Sequence, residues 1–198
     1  MTLPRFYPIF DSVAWLERAL PLGVTLVQLR IKDRAPDNLR ADIRAGLALA
    51  KRHGAALVIN DHWQLAIEEG ADWLHLGQED LDTADLPAIR RAGLRLGVST
   101  HDYAELDRAL ALAPDYVALG PVYPTILKQM KWHQQGLDRV SEWKRLVGDT
   151  PLCAIGGMSV ERAPGAFAVG ADIVAAVTDI TLHPDARARM RDWLAVCA

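Results

Sequence analysis

The segment LVQLRIKD, residues 26–33, carries two basic side chains at alternate positions. Its apolar residues alternate with Gln28, Arg30 and Lys32, which is the pattern of a β-strand with one polar face. Two cations and an amide on one face suit a negatively charged ligand if that face is enclosed. The alternative is an ordinary sheet face in contact with water.

Polar residues also follow most of the other short apolar runs, at the point where each run ends. They include carboxylates, hydroxyls, a further lysine and a glycine pair, which is a mixture suited to a phosphorylated substrate and a metal ion. The residues concerned are Asn60 and Asp61, Gln78 and Asp80, Ser99, Thr100 and His101, Thr125 and Lys128, Gly156 and Gly157, and Thr178 and Asp179.

Two aspartates of this set, Asp61 and Asp80, have the chemistry of magnesium ligands. They follow two successive apolar runs. In proteins Mg²⁺ is typically held by one or two carboxylates, and water and phosphate oxygens fill its other positions. Arg30, Lys32 and Lys128 would neutralise the remaining charge of a phosphorylated ligand. Helix N-capping is the alternative role for either aspartate.

The glycine pair Gly156-Gly157 is a candidate phosphate site, because backbone N–H groups without side chains can approach phosphate oxygens closely. Thr178 adds a hydroxyl after the next apolar run. A tight turn is the alternative explanation for the glycines. His101 is a candidate acid or base, with helix capping or surface exposure as its alternative, whereas His75 is interpreted as a packed core histidine.

The elements that must position these residues alternate regularly along the chain. Strict alternation of strands and helices requires a parallel sheet covered by helices, and eight such units predict a (β/α)8 TIM barrel. An open doubly wound sheet is the alternative, but its first strand would normally lead into a glycine-rich loop, and FYPIFDS contains no glycine. The predicted strands are 5–10, 25–30, 56–60, 73–77, 95–99, 116–120, 152–156 and 173–177, and the predicted helices are 13–20, 39–53, 63–70, 86–93, 103–112, 137–147, 161–170 and 184–196.

In such a barrel the chemistry lies at the carboxyl ends of the strands, where the polar residues above are found. We therefore predict one compact domain over residues 1–198. The one long strand-to-helix loop, residues 121–136, is a further functional candidate.

The composition excludes several classes of partner. With 198 residues and a net charge of -3, the chain has the size of one domain and no basic field for nucleic acid. Its two cysteines make no disulfide framework and favour a reducing compartment. No signal-peptide pattern is present, and no apolar stretch approaches the ~20 residues that cross a bilayer. We expect a cytoplasmic protein that binds small molecules, and no sequence feature specifies its oligomeric state.

Seven motifs together resemble the thiamine-phosphate synthase family. They are QLRIK, IND, HLGQED, GVSTH, GPVYPT with its following lysine, AIGGM and AAVTDI, in the order and approximate spacing of that family. The resemblance implies a Mg²⁺-dependent transferase that joins 4-amino-2-methyl-5-hydroxymethylpyrimidine diphosphate to a thiazole phosphate, giving thiamine phosphate and pyrophosphate. It also implies a dissociative mechanism, in which the bond to pyrophosphate breaks before the thiazole nitrogen attacks.

The resemblance also implies roles for individual residues. Arg30, Lys32, Ser99 and Lys128 would be catalytic, because they would meet the diphosphate as it leaves. Asp61 and Asp80 would hold Mg²⁺. The pyrimidine diphosphate would be bound by Gln28, Leu29, Arg30, Ile31, Lys32, Asn60, Ser99 and Lys128, and the thiazole phosphate by Thr125, Ile126, Leu127, Gly157, the backbone of Val177, and Thr178.

Two positions depart from the family pattern. Leu127 replaces a second threonine of the PT loop, and Thr178 replaces a serine but keeps a hydroxyl. Two alternatives to the synthase stay open at this point. One is a thiazole tautomerase of the same superfamily, which has no evident use for both the Arg30/Lys32 pair and the Asp61/Asp80 pair. The other is a non-catalytic sensor of phosphorylated ligands, which Leu127 alone favours.

Overall fold

The computed structural model describes residues 3–125 and 133–198. Its strands are parallel and follow one another in chain order around a closed barrel, which confirms the predicted fold class. Every predicted strand is present. The strands are β1 (Phe6–Phe10), β2 (Leu26–Leu29), β3 (Ala56–Asn60), β4 (Trp73–Leu76), β5 (Arg95–Thr100), β6 (Tyr116–Leu119), β7 (Leu152–Ala154) and β8 (Ile173–Ala176).

The described part of the chain contains ten α-helices and one short 3-10 helix, Leu20–Leu22. No helix in this part is long and apolar enough to cross a membrane. The α-helices are α1 (Val13–Ala19), α2 (Pro36–His53), α3 (Trp63–Glu68), α4 (Gln78–Leu81), α5 (Leu86–Arg91), α6 (Tyr103–Ala111), α7 (Gly136–Val147), α8 (Ala163–Ala168), α9 (Thr178–Thr181) and α10 (Ala186–Val196).

Two of these helices, α4 and α9, were not predicted from the sequence. Each has four residues, which is too short to show a helical repeat of 3.6 residues. Helix α2 begins at Pro36 instead of 39, because proline fits the first helical position. Helices α3 and α8 end before Gly70 and Gly170, whose φ angles of +69° and +104° stop a helix.

The chain divides into two compact units. The N-terminal unit is Pro8–Gly97, and the C-terminal unit is Val98–Ala198 together with the N-terminal segment up to Tyr7. The expectation of a single domain over 1–198 stays a prediction.

In the N-terminal unit, packing of β2 against α2 fixes which residues of β2 face the helix. A Cβ atom at Gly46 of α2 would lie 3.3 Å from Cδ2 of Leu29, so Leu29 points toward α2. Because successive strand residues point to opposite faces, Gln28 and Arg30 point away from that helix. Gln28 is only 2% exposed. The water-exposed sheet face considered from the sequence is therefore wrong for Gln28.

In the C-terminal unit, a buried hydrogen-bond chain fixes the end of β5. Trp143 of α7 donates from Nε1 to Thr100 Oγ1 at 2.9 Å, and Thr100 donates from Oγ1 to the carbonyl of Ala118 at 3.0 Å. Trp143 and Thr100 are fully buried. Their hydrogen bonds also fix the backbone at Ser99 and His101, which flank Thr100.

We expect Trp143→Phe to lower the free energy of unfolding by about 1–3 kcal/mol, because it removes a buried donor and leaves space beside Thr100. Urea unfolding measures the change. Trp15→Phe is the control, since Trp15 is half-buried and stacks on Phe10. Equal losses in the two variants would contradict a specific role for the Trp143 hydrogen bond.

Candidate functional site

Asp61 follows β3 in a backbone conformation that few residues adopt. Its φ is +63°, in the left-handed region, and its N–H donates to the carbonyl of His75 at 2.9 Å. Helix α3 begins at Trp63, and its N-cap position is His62. N-capping is therefore wrong as an explanation of Asp61. Strained backbone of this kind is found preferentially at functional sites.

Asp80 is the third residue of α4, and its carboxylate does contribute to the start of that helix. The N–H of Gly77 donates to Asp80 Oδ2 at 3.1 Å. Asp80 is thus not the N-cap itself, which is Gly77. This hydrogen bond fixes the orientation of the carboxylate, and it is compatible with a further role as a ligand.

The two aspartates interact with each other and with two cations. Burial, foremost, raises the pKa of Asp61, and the charge of Asp80 and a side-chain hydrogen bond with Asp80 raise it further. Lys32 and Arg30 act in the opposite direction on the same carboxyl. The residues at the ends of β2, β3 and β4 therefore lie within electrostatic range of one another.

His75 of β4 belongs to the same group of residues. It is 6% exposed, and its pKa is lowered to about 4 by burial, with the Arg30 charge adding to the effect and Asp80 opposing it. The imidazole is therefore neutral near pH 7. The interpretation as a buried histidine is confirmed, but its nearness to charged residues was missed, because its sequence position lies inside an apolar run. We call Arg30, Lys32, Asp61, His75 and Asp80 the charged cluster.

The charged cluster fits a magnesium ion. Two carboxylates supply hard oxygen ligands, and a cation between them would relieve the repulsion that raises the pKa of Asp61. Within residues 3–125 and 133–198, no group of three or more His, Cys, Asp or Glu side chains could hold a metal ion. Two carboxylates suit Mg²⁺, which usually keeps several water ligands and binds substrate phosphates.

A histidine that was not a candidate in the sequence analysis, His62, holds the segment that precedes Lys32. His62 donates from Nε2 to the carbonyl of Ile31 at 3.0 Å. Ile31 is buried, whereas Lys32 is exposed and Arg30 is partly exposed. His62 thereby fixes the backbone between the two basic residues.

In the C-terminal unit, glycines allow two loops to touch. The N–H of Val122 donates to the carbonyl of Ile155 at 2.9 Å, and that of Tyr123 donates to Gly156 at 3.0 Å. A Cβ atom at Gly157 would lie 2.8 Å from Cβ of Tyr123 and would collide with the carbonyl oxygen of Pro124. Gly156 and Gly157 also have φ angles of +91° and +63°. Glycine is therefore required by close contact between loops as well as by the turn.

Thr125 follows Pro124 directly, so its backbone lies beside Gly157. Val177 precedes α9 and Thr178 is the first residue of that helix, and both are half-buried. Ser99 is half-buried near the end of β5. Three predicted site residues, Ile126, Leu127 and Lys128, lie outside the described residues, as does much of the predicted functional loop 121–136.

His101 is held by a carboxylate. Its Nδ1 and its backbone nitrogen each lie 2.7 Å from Glu105 Oε2, and Gln135 donates from Nε2 to the carbonyl of His101 at 3.0 Å. The N-cap of α6 is Asp102, which accepts from the N–H of Glu105 at 2.9 Å. N-capping is therefore wrong as an explanation of His101.

Comparison with known proteins identifies a consistent set of relatives. Residues 6–180 match the family model described as thiamine monophosphate synthase. The chain is 61% identical over 198 residues to a thiamine-phosphate synthase of Rhizobium etli, covering 100% of this chain and 97% of that protein, and 53% identical over 190 residues to one of Klebsiella pneumoniae, covering 96% and 90%. A solved thiamine phosphate pyrophosphorylase from Pyrococcus furiosus shares the fold, with a TM-score of 0.87 and 24% identity over 98% of this chain and 95% of that chain.

The carboxylate pair leads to a test that does not depend on activity. We expect Asp61→Asn to raise the Tm of the metal-free protein by a few °C, or about 1 kcal/mol, because it removes charge repulsion and asparagine accepts a left-handed backbone. The same variant should lose the stabilisation that Mg²⁺ with pyrophosphate gives to the wild type. Thermal unfolding followed by circular dichroism measures both effects.

The matched control for this test is Asp33→Asn, because Asp33 also has a left-handed φ, +55°, but is exposed. Asp33→Asn should change neither the Tm of the metal-free protein nor the stabilisation by Mg²⁺ with pyrophosphate. A lower Tm for Asp61→Asn, or an undiminished response to Mg²⁺ with pyrophosphate, would contradict the metal assignment.

Proposed function

The chain belongs to the thiamine monophosphate synthase family and is a transferase that forms thiamine phosphate, and from that premise we propose how its residues carry out the reaction. The charged cluster binds the diphosphate of 4-amino-2-methyl-5-hydroxymethylpyrimidine diphosphate. The glycine-containing loops of the C-terminal unit bind the phosphate of the thiazole substrate. The methylene carbon of the pyrimidine is joined to the thiazole nitrogen, and pyrophosphate is released.

One observation carries the diphosphate assignment: the Asp80 carboxylate and the cations Lys32 and Arg30 all act on the buried Asp61 carboxyl. A metal-bound diphosphate needs both kinds of group, because carboxylates bind the metal and cations meet the phosphate oxygens. Asp61 and Asp80 would hold the ion. When bound, Mg²⁺ supplies neutralisation of the negative charge on the pyrophosphate leaving group.

Arg30 and Lys32 have a separate role in this proposal. As the bond between the methylene carbon and the diphosphate oxygen breaks, its electron pair passes to pyrophosphate, and the two cations stabilise that charge. The electron-rich aminopyrimidine stabilises the methylene cation until the thiazole nitrogen attacks. Gln28 and Asn60 position the pyrimidine diphosphate, with Leu29 acting through its backbone because its side chain faces α2. Ser99 joins this assignment by family resemblance. By family resemblance, Lys128 adds a third cation.

The thiazole phosphate is assigned to Thr125, Gly157, Val177 and Thr178. The support is the close approach of the loop 121–125 to Gly156 and Gly157, which leaves backbone without side chains beside a threonine. Backbone N–H groups and hydroxyls are common phosphate donors. Ile126 and Leu127 join this assignment by family resemblance.

The charged cluster also argues against the thiazole tautomerase alternative. A tautomerase moves a proton and releases no diphosphate, so it has no evident use for two carboxylates beside two cations. A turnover assay with both substrates distinguishes the synthase from the sensor alternative, because only the synthase forms thiamine phosphate. We further propose a cytoplasmic location, which is supported by the two free thiols of Cys153 and Cys197.

The proposed role of the cations predicts the kinetic effect of removing them. Lys32→Ala and Arg30→Ala should each lower kcat by about 10²-fold, because the cations act most strongly on the charge that develops in the transition state. The measurement is thiamine phosphate formation from both substrates, with and without Mg²⁺. Lys51→Ala, at an exposed position in the last turn of α2, is the control. A rise in KM for the diphosphate with unchanged kcat would mean ordinary ground-state binding.

The proposed phosphate loops predict a different kinetic effect. Gly157→Ala should raise KM for the thiazole phosphate about tenfold or more, because its methyl group displaces the loop at Tyr123 and Pro124. KM for the pyrimidine diphosphate should change little. Steady-state kinetics with each substrate varied in turn measures both values.

Gly54→Ala is the matched control for Gly157→Ala. Gly54 has a φ of +64°, close to the +63° of Gly157, but nothing lies within 4 Å of the position its Cβ would take. It therefore reproduces the backbone strain without the collision. Equal effects of the two variants on KM for the thiazole phosphate would contradict the assignment of that phosphate to Gly157.

A further inference from the structure

Arg189 of α10 joins two segments of the C-terminal unit. It donates from Nε and Nη2 to Asp179, at 2.8 and 2.9 Å, and from Nη1 and Nη2 to Glu161, at 2.9 and 2.7 Å. Both carboxylates are therefore bound by two hydrogen bonds each. Asp179 lies in α9, after β8, and Glu161 lies between β7 and α8. One guanidinium thus connects the segments that follow two neighbouring strands.

Each of these segments contains residues assigned above to the thiazole phosphate. Asp179 directly follows Thr178. Glu161 directly precedes Arg162, which donates from Nη1 to the carbonyl of Gly157 and stacks over the ring of Tyr123, with its Cζ 4.4 Å from the ring centroid. We call Arg189 with Asp179 and Glu161 the Arg189 bridge. It is linked to Thr178 through the neighbouring Asp179, and to Gly157 through Glu161 and the adjacent Arg162.

The inner half of the bridge is well enclosed. The side chains of Arg189 and Asp179 are 13% and 15% exposed, and Asp179 also accepts from Trp193 Nε1 at 2.8 Å. Trp193 is fully buried and stacks on Phe6 at 5.2 Å between ring centroids. Asp179 is thus held by three donor atoms of α10. Glu161, in contrast, is 68% exposed, and its pairing with Arg189 ties it to α10.

We propose that Arg189 is a positioning residue for the thiazole phosphate: it sets the spacing between the segment with Gly157 and the segment with Val177 and Thr178, without touching the substrate. This inference rests on the proposed function of those segments. The planar guanidinium suits this task, because its nitrogens are fixed relative to one another and bind two carboxylates in a set geometry. The hydrogen bonds to both carboxylates also satisfy its own charge. Consistent with this pairing, Arg189 lowers the pKa of Glu161 to about 2 through their hydrogen bonds, with Ser159 contributing.

A purely structural role for Arg189 would have a different signature. If the bridge only stabilised the protein, its loss would lower Tm and affect all substrates alike. If it spaces the phosphate-binding segments, its loss should reduce the preference for a phosphorylated thiazole over the same thiazole with a free hydroxyl group. The ratio of kcat/KM for thiazole phosphate to kcat/KM for thiazole alcohol therefore separates the two roles.

The experiment measures this ratio for Arg189→Lys and Glu161→Gln in the full-length enzyme, together with KM for the pyrimidine diphosphate. We expect the ratio to fall about tenfold in Arg189→Lys, because lysine is a point charge that cannot bridge both carboxylates with fixed geometry. In Glu161→Gln it should fall by several-fold with little change in Tm, since Glu161 is largely exposed. Glu161→Gln thus tests the bridge even if Arg189→Lys folds poorly.

Arg44→Lys is the matched control. Arg44 makes the same type of fork to Glu69, from Nε at 2.8 Å and from Nη2 at 3.0 Å, between α2 and the residue after α3. In Arg44→Lys the ratio of kcat/KM for thiazole phosphate to kcat/KM for thiazole alcohol should equal that of the wild type. An unchanged ratio in both Arg189→Lys and Glu161→Gln, with Gly157→Ala still lowering it, would overturn the inference and leave the proposed function standing. An unchanged ratio in Gly157→Ala as well would overturn the proposed phosphate site and the inference with it.

Discussion

The candidate site of the N-terminal unit depends on an unfavourable interaction, the burial of Asp61 beside Asp80. Burial and the neighbouring charge of Asp80 raise the pKa of Asp61, so the fold holds these two carboxyl groups side by side at a cost. Surrounding groups keep the pair in place. The carbonyl of His75 anchors the left-handed backbone of Asp61, and the N–H of Gly77 orients Asp80. Such a cost is expected where a ligand relieves it, and a divalent cation with a diphosphate is a ligand of that kind.

In the C-terminal unit, the candidate phosphate site depends on the close packing of one backbone segment against another. Side chains at Gly156 and Gly157 would collide with the loop that begins at Pro121, so these two positions exclude every other residue type in the present arrangement. Backbone hydrogen bonds from Val122 and Tyr123 to Ile155 and Gly156, directly after β7, restrain the segments that these glycines join. Rigid donors need no reorganisation when an anion binds, and preorganisation of this sort contributes affinity.

Features that follow from the residue periodicity of strands and helices could be predicted from the sequence. Contacts between residues far apart in the chain could not. Alternation in LVQLRIKD identified the face of Gln28 and Arg30, because a strand reverses its side chains at every residue. The order of strands followed from their alternation with helices. The helices α4 and α9 escaped because four residues carry no periodic signal. The bridge from Arg189 to Glu161 spans 28 residues and joins α10 to a loop, so no local pattern could reveal it. His75 was correctly expected to be buried, but its charged neighbours lie outside β4, with Arg30 after β2 and Asp80 in α4.

On the proposed assignment, the two substrates need different chemistry from the chain. The pyrimidine diphosphate gains negative charge on its leaving group as the reaction proceeds, so full cations aimed at that group lower the barrier. The thiazole phosphate keeps its charge throughout, and donors that bind it equally before and during the reaction affect KM and not kcat. Neutral N–H groups and hydroxyls are sufficient for that purpose. Arg189 fits this division, because its charge is satisfied by Asp179 and Glu161 and is thereby used to hold loops and not to bind the anion directly.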